Sequence, residues 1–126
     1  MTRASRHVLL LSLTIAFAAA TAMAADLTGT GVGSTEAPDV GPIQVTLVLK
    51  KAEGGYAGTI WDSASLIAPD TPVRDLKVDG DSLTGWFALT DGSTVSVQLK
   101  VSGETMTGGW QHSGGGTGAL SLERKK

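Results

Sequence analysis

The sequence predicts an all-β protein built as an eight-stranded antiparallel up-and-down barrel, and three observations carry that reading. Apolar and polar residues alternate with a period of two in several short runs, most cleanly over 43–50, Ile-Gln-Val-Thr-Leu-Val-Leu-Lys. The stretch 78–87, Val-Asp-Gly-Asp-Ser-Leu-Thr-Gly-Trp-Phe, returns in similar form 23 residues later as 101–110. A signature of large apolar residue, small residue and glycine recurs at 27–29, 56–58, 83–85 and 106–108, with its glycines 29, 27 and 23 residues apart. Every second strand carries it. No stretch of helical period competes with this pattern after residue 25.

The elements follow in order. Arg3, Arg6 and His7 precede the uncharged run 8–20, and Ala22-Met23-Ala24 supplies small residues where a signal peptidase reads. Residues 1–24 are therefore expected to be a secretory signal peptide cleaved after Ala24, and 25–126 a single β-barrel domain. The apolar run is shorter than the roughly 20 residues a membrane span requires. A short alternating strand is expected over 27–32 and a loop rich in Gly, Pro and acids over 33–42. The strand from Ile43 turns over 51–55 and runs back through 56–61, and 62–72 is the least regular part. Strands at 73–78 and 83–89 flank Gly80-Asp81, and the second copy places Gly103-Glu104 in the same position. Glycine as the first central residue is what a type II′ hairpin turn requires. A three-residue loop at 91–93 leads into 95–101, and a glycine-rich turn at 112–116 precedes the last strand, 117–124.

An open meander of eight strands leaves two long edges, whereas closure removes them. The expected inward set is Leu27, Ile43, Val45, Leu47, Leu49, Tyr56, Ile60, Leu76, Val78, Leu83, Phe87, Leu89, Val95, Val97, Leu99, Val101, Met106, Trp110, Leu120 and Leu122, with Gly58, Gly85 and Gly108 of the same parity. Such glycines let strands coil tightly, admit bulky neighbours such as Trp110, or leave room for a ligand. Outward positions are mostly Thr, Ser, Gln and Lys, unlike the apolar band of an outer-membrane barrel.

Composition narrows the function. Loss of Arg3 and Arg6 with the signal takes the formal net charge from -2 to about -4, and the remaining cations are scattered apart from a short tail at 124–126. That balance argues against a nucleic-acid partner, which needs a concentrated positive field. The chain has no cysteine, so neither disulfides nor thiolate metal sites can hold the fold. His112 is the single histidine after the signal and falls in a glycine turn, with no nucleophile and carboxylate at recognisable spacing. Asp79, Asp81 and Asp91 sit beside turn glycines without the ligand spacing of an EF-hand. No catalytic residue, metal or cofactor is expected.

The residues 72–85, with Met106-Thr107-Gly108-Gly109-Trp110 and the closing run 120–124, resemble the small lipocalin-like (calycin) β-barrel domain of exported bacterial proteins, which in some chains precedes an α/β-hydrolase domain. The resemblance spans most of the chain after the signal and implies an exported, periplasmic or secreted barrel. It carries over no catalytic residue. The chain is also similar in size and strand pattern to exported barrel inhibitors of secreted metalloproteases, although those usually carry a disulfide and this chain has no cysteine.

Two sets of residues are candidates for binding. Inside the barrel, Tyr56, Phe87, Met106 and Trp110 would line a cavity for a small apolar molecule. Outside it, Trp61 and Trp86 have the opposite parity to Ile60 and Phe87. The register that pairs Val78 with Leu83 sets Trp86 opposite Asp75, and rings about 10 Å apart would form a patch of about 300–500 Å² for a protein partner. The competing expectation is that the 62–72 loop folds over both rings, burying Leu66 and Ile67 against them.

Overall fold

The computed structural model describes residues 26–125; the expected signal segment, 1–24, lies outside the described residues. The strands are β1 (Gly29–Ala37), β2 (Gly41–Ala52), β3 (Gly55–Asp62), β4 (Thr71–Asp79), β5 (Ser82–Ala88), β6 (Thr94–Ser102), β7 (Thr105–His112) and β8 (Thr117–Arg124). Each pairs antiparallel with its sequence neighbours, and β8 returns to β1 to close the barrel. Closure satisfies the backbone groups that edge strands would expose.

Connections alternate between two ends. At one, β4 meets β5 through Gly80-Asp81 and β6 meets β7 through Gly103-Glu104, with Gly80 at φ 64° and Gly103 at φ 61°. These left-handed first positions are the reason both turns begin with glycine. At the other end the connections are longer: 38–40, 63–70, 89–93 and 113–116.

The inward face follows the predicted parity over most of the barrel. Ile43, Val45, Leu47 and Leu49 on β2, Val95, Val97 and Leu99 on β6, and Leu120 and Leu122 on β8 are all buried. Gln44, Lys50, Ser96, Gln98 and Lys100, lying between them, are exposed. Burying each large aliphatic side chain contributes about 1.5–3 kcal/mol, so this alternation fixes the register.

Three local expectations are corrected. The loop expected over 33–42 is mostly strand: β1 runs to Ala37 and β2 starts at Gly41, leaving 38–40 as the connection. The glycine that suggested a loop serves the barrel wall, because a Cβ on Gly33 would collide with the Ser121 carbonyl of β8. Between β5 and β6, Leu89 N–H donates to the Ser93 carbonyl (2.8 Å), which places the three-residue turn at 90–92 rather than 91–93.

The third correction concerns β4. Trp86 pairs with Arg74 and Thr84 with Lys77, so Asp75 and Leu76 together oppose Gly85. This is a β-bulge, with Asp75 at φ 51° supplying the left-handed residue that Asp tolerates better than most. The extra residue resets the parity. Val73, outside the expected inward set, is buried, while Leu76 and Val78 remain packed against the core. Gly85 makes this possible, since a Cβ there would come within 2.7 Å of Val73 Cγ1. Trp86 consequently lies opposite Arg74 and not Asp75, although its Nε1–H still donates to Asp75 Oδ2 at 2.8 Å.

Candidate functional site

The two ends of the barrel are filled differently. Near the short turns, Leu49, Leu83 and Leu122 are nearly inaccessible, at 2%, 1% and 1% exposure. Leu27 is buried with them, its N–H donating to the Tyr56 hydroxyl at 3.2 Å. The crevice that remains, bordered by Leu27, Val101, Met106 and Leu122, holds about 10 Å³, room for one water at most. Towards the long connections the interior opens into a cavity of about 500 Å³. Ligand pockets commonly span roughly 300–1,000 Å³.

Ile43, Val45, Ile60, Phe87, Val95, Val97, Trp110 and Leu120 line this cavity from the strands, and Leu89 from the start of the 89–93 connection. The ring of four residues expected from the sequence therefore divides. Phe87 and Trp110 face the cavity, whereas Tyr56 and Met106 do not line it and belong to the opposite end. The misassignment arose because parity reports the face of a strand and says nothing of the height along the barrel. Met106 and Trp110 share a face of β7 but stand four residues apart, about 13 Å along the strand.

Trp110 is held in place by two partners. Its Nε1–H donates to Thr35 Oγ1 at 2.8 Å, and that hydroxyl donates in turn to the Ala119 carbonyl at 2.6 Å. Its ring lies over Gly118, its cross-strand partner, where any Cβ would collide with the indole. The glycine that admits Trp110 is thus Gly118, and not Gly58, Gly85 or Gly108. At those three positions a Cβ would meet Leu49, Val73 and the Gln98 carbonyl respectively, so they serve packing and strand approach and do not open the cavity.

The 63–70 connection bends into the mouth. Asp62 starts it, with Oδ2 and Oδ1 accepting from the N–H groups of Leu66 (3.3 Å) and Ile67 (3.0 Å). Thr90 of the neighbouring connection donates its N–H to the Leu66 carbonyl at 2.9 Å. Leu66 and Ile67 are thereby delivered to the cavity, and Ile67 is 5% exposed. The expectation that they would cover Trp61 and Trp86 is corrected, because they join the interior cluster, from which both tryptophans are absent.

Trp61 and Trp86 do point outward, and each is half-buried. Trp86 lies in the row of Arg74, while Ile60 pairs with Thr71, which sets Trp61 in the row of Asp70. Four residues along the strand and two strand spacings across separate the rings by about 16 Å. They do not form the continuous patch expected for a partner. Among the described residues the exposed large hydrophobic is Val40, 49% accessible, and it stands on the rim of the cavity.

His112 is not a freely solvated turn residue. It ends β7, is half-buried on the cavity lining, and its Nε2 lies 3.0 Å from Ser93 Oγ. Its Nδ1 accepts from Gly114 N–H at 2.9 Å. With Nδ1 an acceptor, the neutral ring carries its proton on Nε2 and donates to the serine. Ser93 Oγ in turn donates to Asp91 Oδ1, which also accepts Ser93 N–H at 2.9 Å. These bonds, more than the neighbouring imidazole, hold the Asp91 carboxyl below its ordinary range. The order is Asp, Ser, His. A hydrolytic triad needs the histidine in the middle as proton acceptor from serine, so this chain of bonds runs with the wrong polarity for nucleophilic activation. It closes the mouth turns instead. Among the described residues no group of three or more His, Cys, Asp and Glu is placed to hold a metal.

Comparison with known proteins places no relative beside this one: no family, curated protein or solved structure matches the chain.

Proposed function

We propose that this protein is an exported, non-catalytic carrier or receptor of lipocalin-like type that takes a small apolar molecule through the open end of its barrel. The observation that carries the reading is the cavity of about 500 Å³, walled by aliphatic and aromatic side chains above a tightly packed floor. Val40 gives the rim an exposed apolar residue where a ligand would first touch. The polar outward positions of the strands fit a barrel free of the membrane, and the polarity of the Asp91, Ser93 and His112 bonds favours binding over hydrolysis. The leader expected at 1–24 makes the periplasm or the exterior the compartment in which this binding would take place.

Titration with N-phenylnaphthylamine, a neutral apolar fluorophore, tests the reading. Its emission should rise saturably with one site per chain. Val97→Phe, which fills the cavity from β6, should weaken binding at least tenfold while the barrel stays folded. Absence of saturable binding, or equal binding by the folded Val97→Phe protein, overturns it.

A further inference from the structure

The charged residues are unevenly divided between the ends of the barrel. Glu36, Asp39, Asp62, Asp70 and Asp91 stand at or beside the mouth, and no Lys or Arg of the described residues lies in its four connections. Three of these carboxylates, Asp39, Asp62 and Asp91, line the cavity itself, with no Lys or Arg in the lining. Lys50, Lys51, Lys77, Lys100, Arg124 and Lys125 lie towards the other end, interspersed with acids there, while Arg74, in the row of Trp86, is exposed on the wall and absent from the cavity lining. The ion pairs among the described residues, Lys100 with Asp81 at 3.9 Å and Arg124 with Glu104 at 3.2 Å, are both at that end. None neutralises the mouth.

The polar contacts of the lining acids leave their charge in place. Asp62 accepts only backbone N–H groups, and Asp91 accepts from Ser93. His112, the remaining titratable group of the lining, is engaged on both ring nitrogens, with Nδ1 against Gly114 N–H and Nε2 against Ser93 Oγ. A ligand whose apolar body fills the hollow must leave its polar head among these carboxylates. A carboxylate or phosphate head would meet like charge with no cation to pair with. An ammonium head would meet opposite charge, with the rings of Trp110 and Phe87 beneath it.

We infer that the cavity selects cationic amphiphiles, apolar chains or rings bearing an amine or quaternary ammonium head, against fatty acids and other anionic amphiphiles. This rests on the binding reading above and specifies its ligand class. Displacement of N-phenylnaphthylamine from the exported protein by dodecylamine, dodecanol and dodecanoate, each below its aggregation threshold, tests it. Dodecylamine should act at about tenfold lower concentration than dodecanoate at low ionic strength, with dodecanol between them and the gap narrowing as salt is added. Asp39→Asn combined with Asp70→Asn should shrink the gap between dodecylamine and dodecanoate, and an undiminished gap in the folded variant would count against the charge selection. Both positions have positive φ, 65° and 57°, which asparagine also adopts, so the turns should survive. Dodecanoate binding as well as or better than dodecylamine, with dodecanol still displacing the probe, overturns the charge selection alone. Failure of the neutral probe to bind at all overturns the binding reading and this one with it.

Discussion

The two halves of the barrel use the same kinds of residue to opposite effect. Leu122 and Leu120 are separated by one residue on β8, and both are buried. Leu122 sits among Leu49, Leu83 and Leu27 where almost no space remains, whereas Leu120 forms part of the wall of a hollow. The packed half is closed by two-residue turns and balanced charge; the hollow half is bounded by longer connections and carboxylates. One half holds the barrel together, and the other is left open to do something with it. Stability and binding should therefore respond to different residues, and substitutions made in pairs across this divide are the way to break the comparison.

The largest effect is expected in the packed half. Leu122→Ala should cost about 3 kcal/mol, because it leaves an isolated void, and Leu120→Ala only about 1 kcal/mol, because the lost volume merges with an existing hollow. Urea unfolding midpoints measure both. Equal costs would mean that the mouth is packed as tightly as the base. Next come the glycines. Gly118→Ala drives a Cβ into the Trp110 ring and Gly85→Ala drives one towards Val73, each costing about 1–3 kcal/mol. Only Gly118→Ala should also shift tryptophan emission and change probe affinity, since Trp110 lines the cavity and Val73 does not.

Smaller effects belong to the rim. Asp62→Asn removes one of the two acceptors that hold the 63–70 connection, at a cost of about 1 kcal/mol, and should speed probe release in stopped-flow measurements. Asp81→Asn, in an exposed ion pair of the packed end, should alter neither. The smallest effect is in pH dependence. Asp91 is held below its ordinary value by the Ser93 hydroxyl and N–H. A group whose folded value is depressed adds stability that is complete above the unfolded value and fades as pH falls through the folded one. The unfolding midpoint of Asp91→Asn should thus lie slightly below the parent's at pH 7, with the difference shrinking as pH falls below about 4, where free carboxylates protonate.

Strand order, closure and most of the inward face were legible in the sequence, because a period of two and a repeated turn chemistry leave few alternatives once eight strands are in hand. The site was half legible. Phe87 and Trp110 were reachable by parity, but Tyr56 and Met106 shared that parity at the wrong height. Val73 was hidden by the bulge at Asp75, a non-glycine residue in a left-handed conformation that alternation cannot register. Leu66 and Ile67 stood out as apolar residues between turn clusters, yet their destination depends on Asp62 and Thr90, which meet them only in three dimensions. The contact between Ser93 and His112, 19 residues apart, follows from the β6–β7 register and not from any motif. The collection of acids at the mouth likewise required knowing which connections share an end.

The central claim is that one half of the interior is hollow and receives an apolar ligand while the other half is solid. Methyl NMR spectra recorded during titration with the neutral probe address it most directly. The account predicts saturable shifts at Val45, Val97 and Leu120 with Leu49, Leu83 and Leu122 unmoved. Shifts spread evenly over both sets, or none that saturate at the mouth, would contradict it.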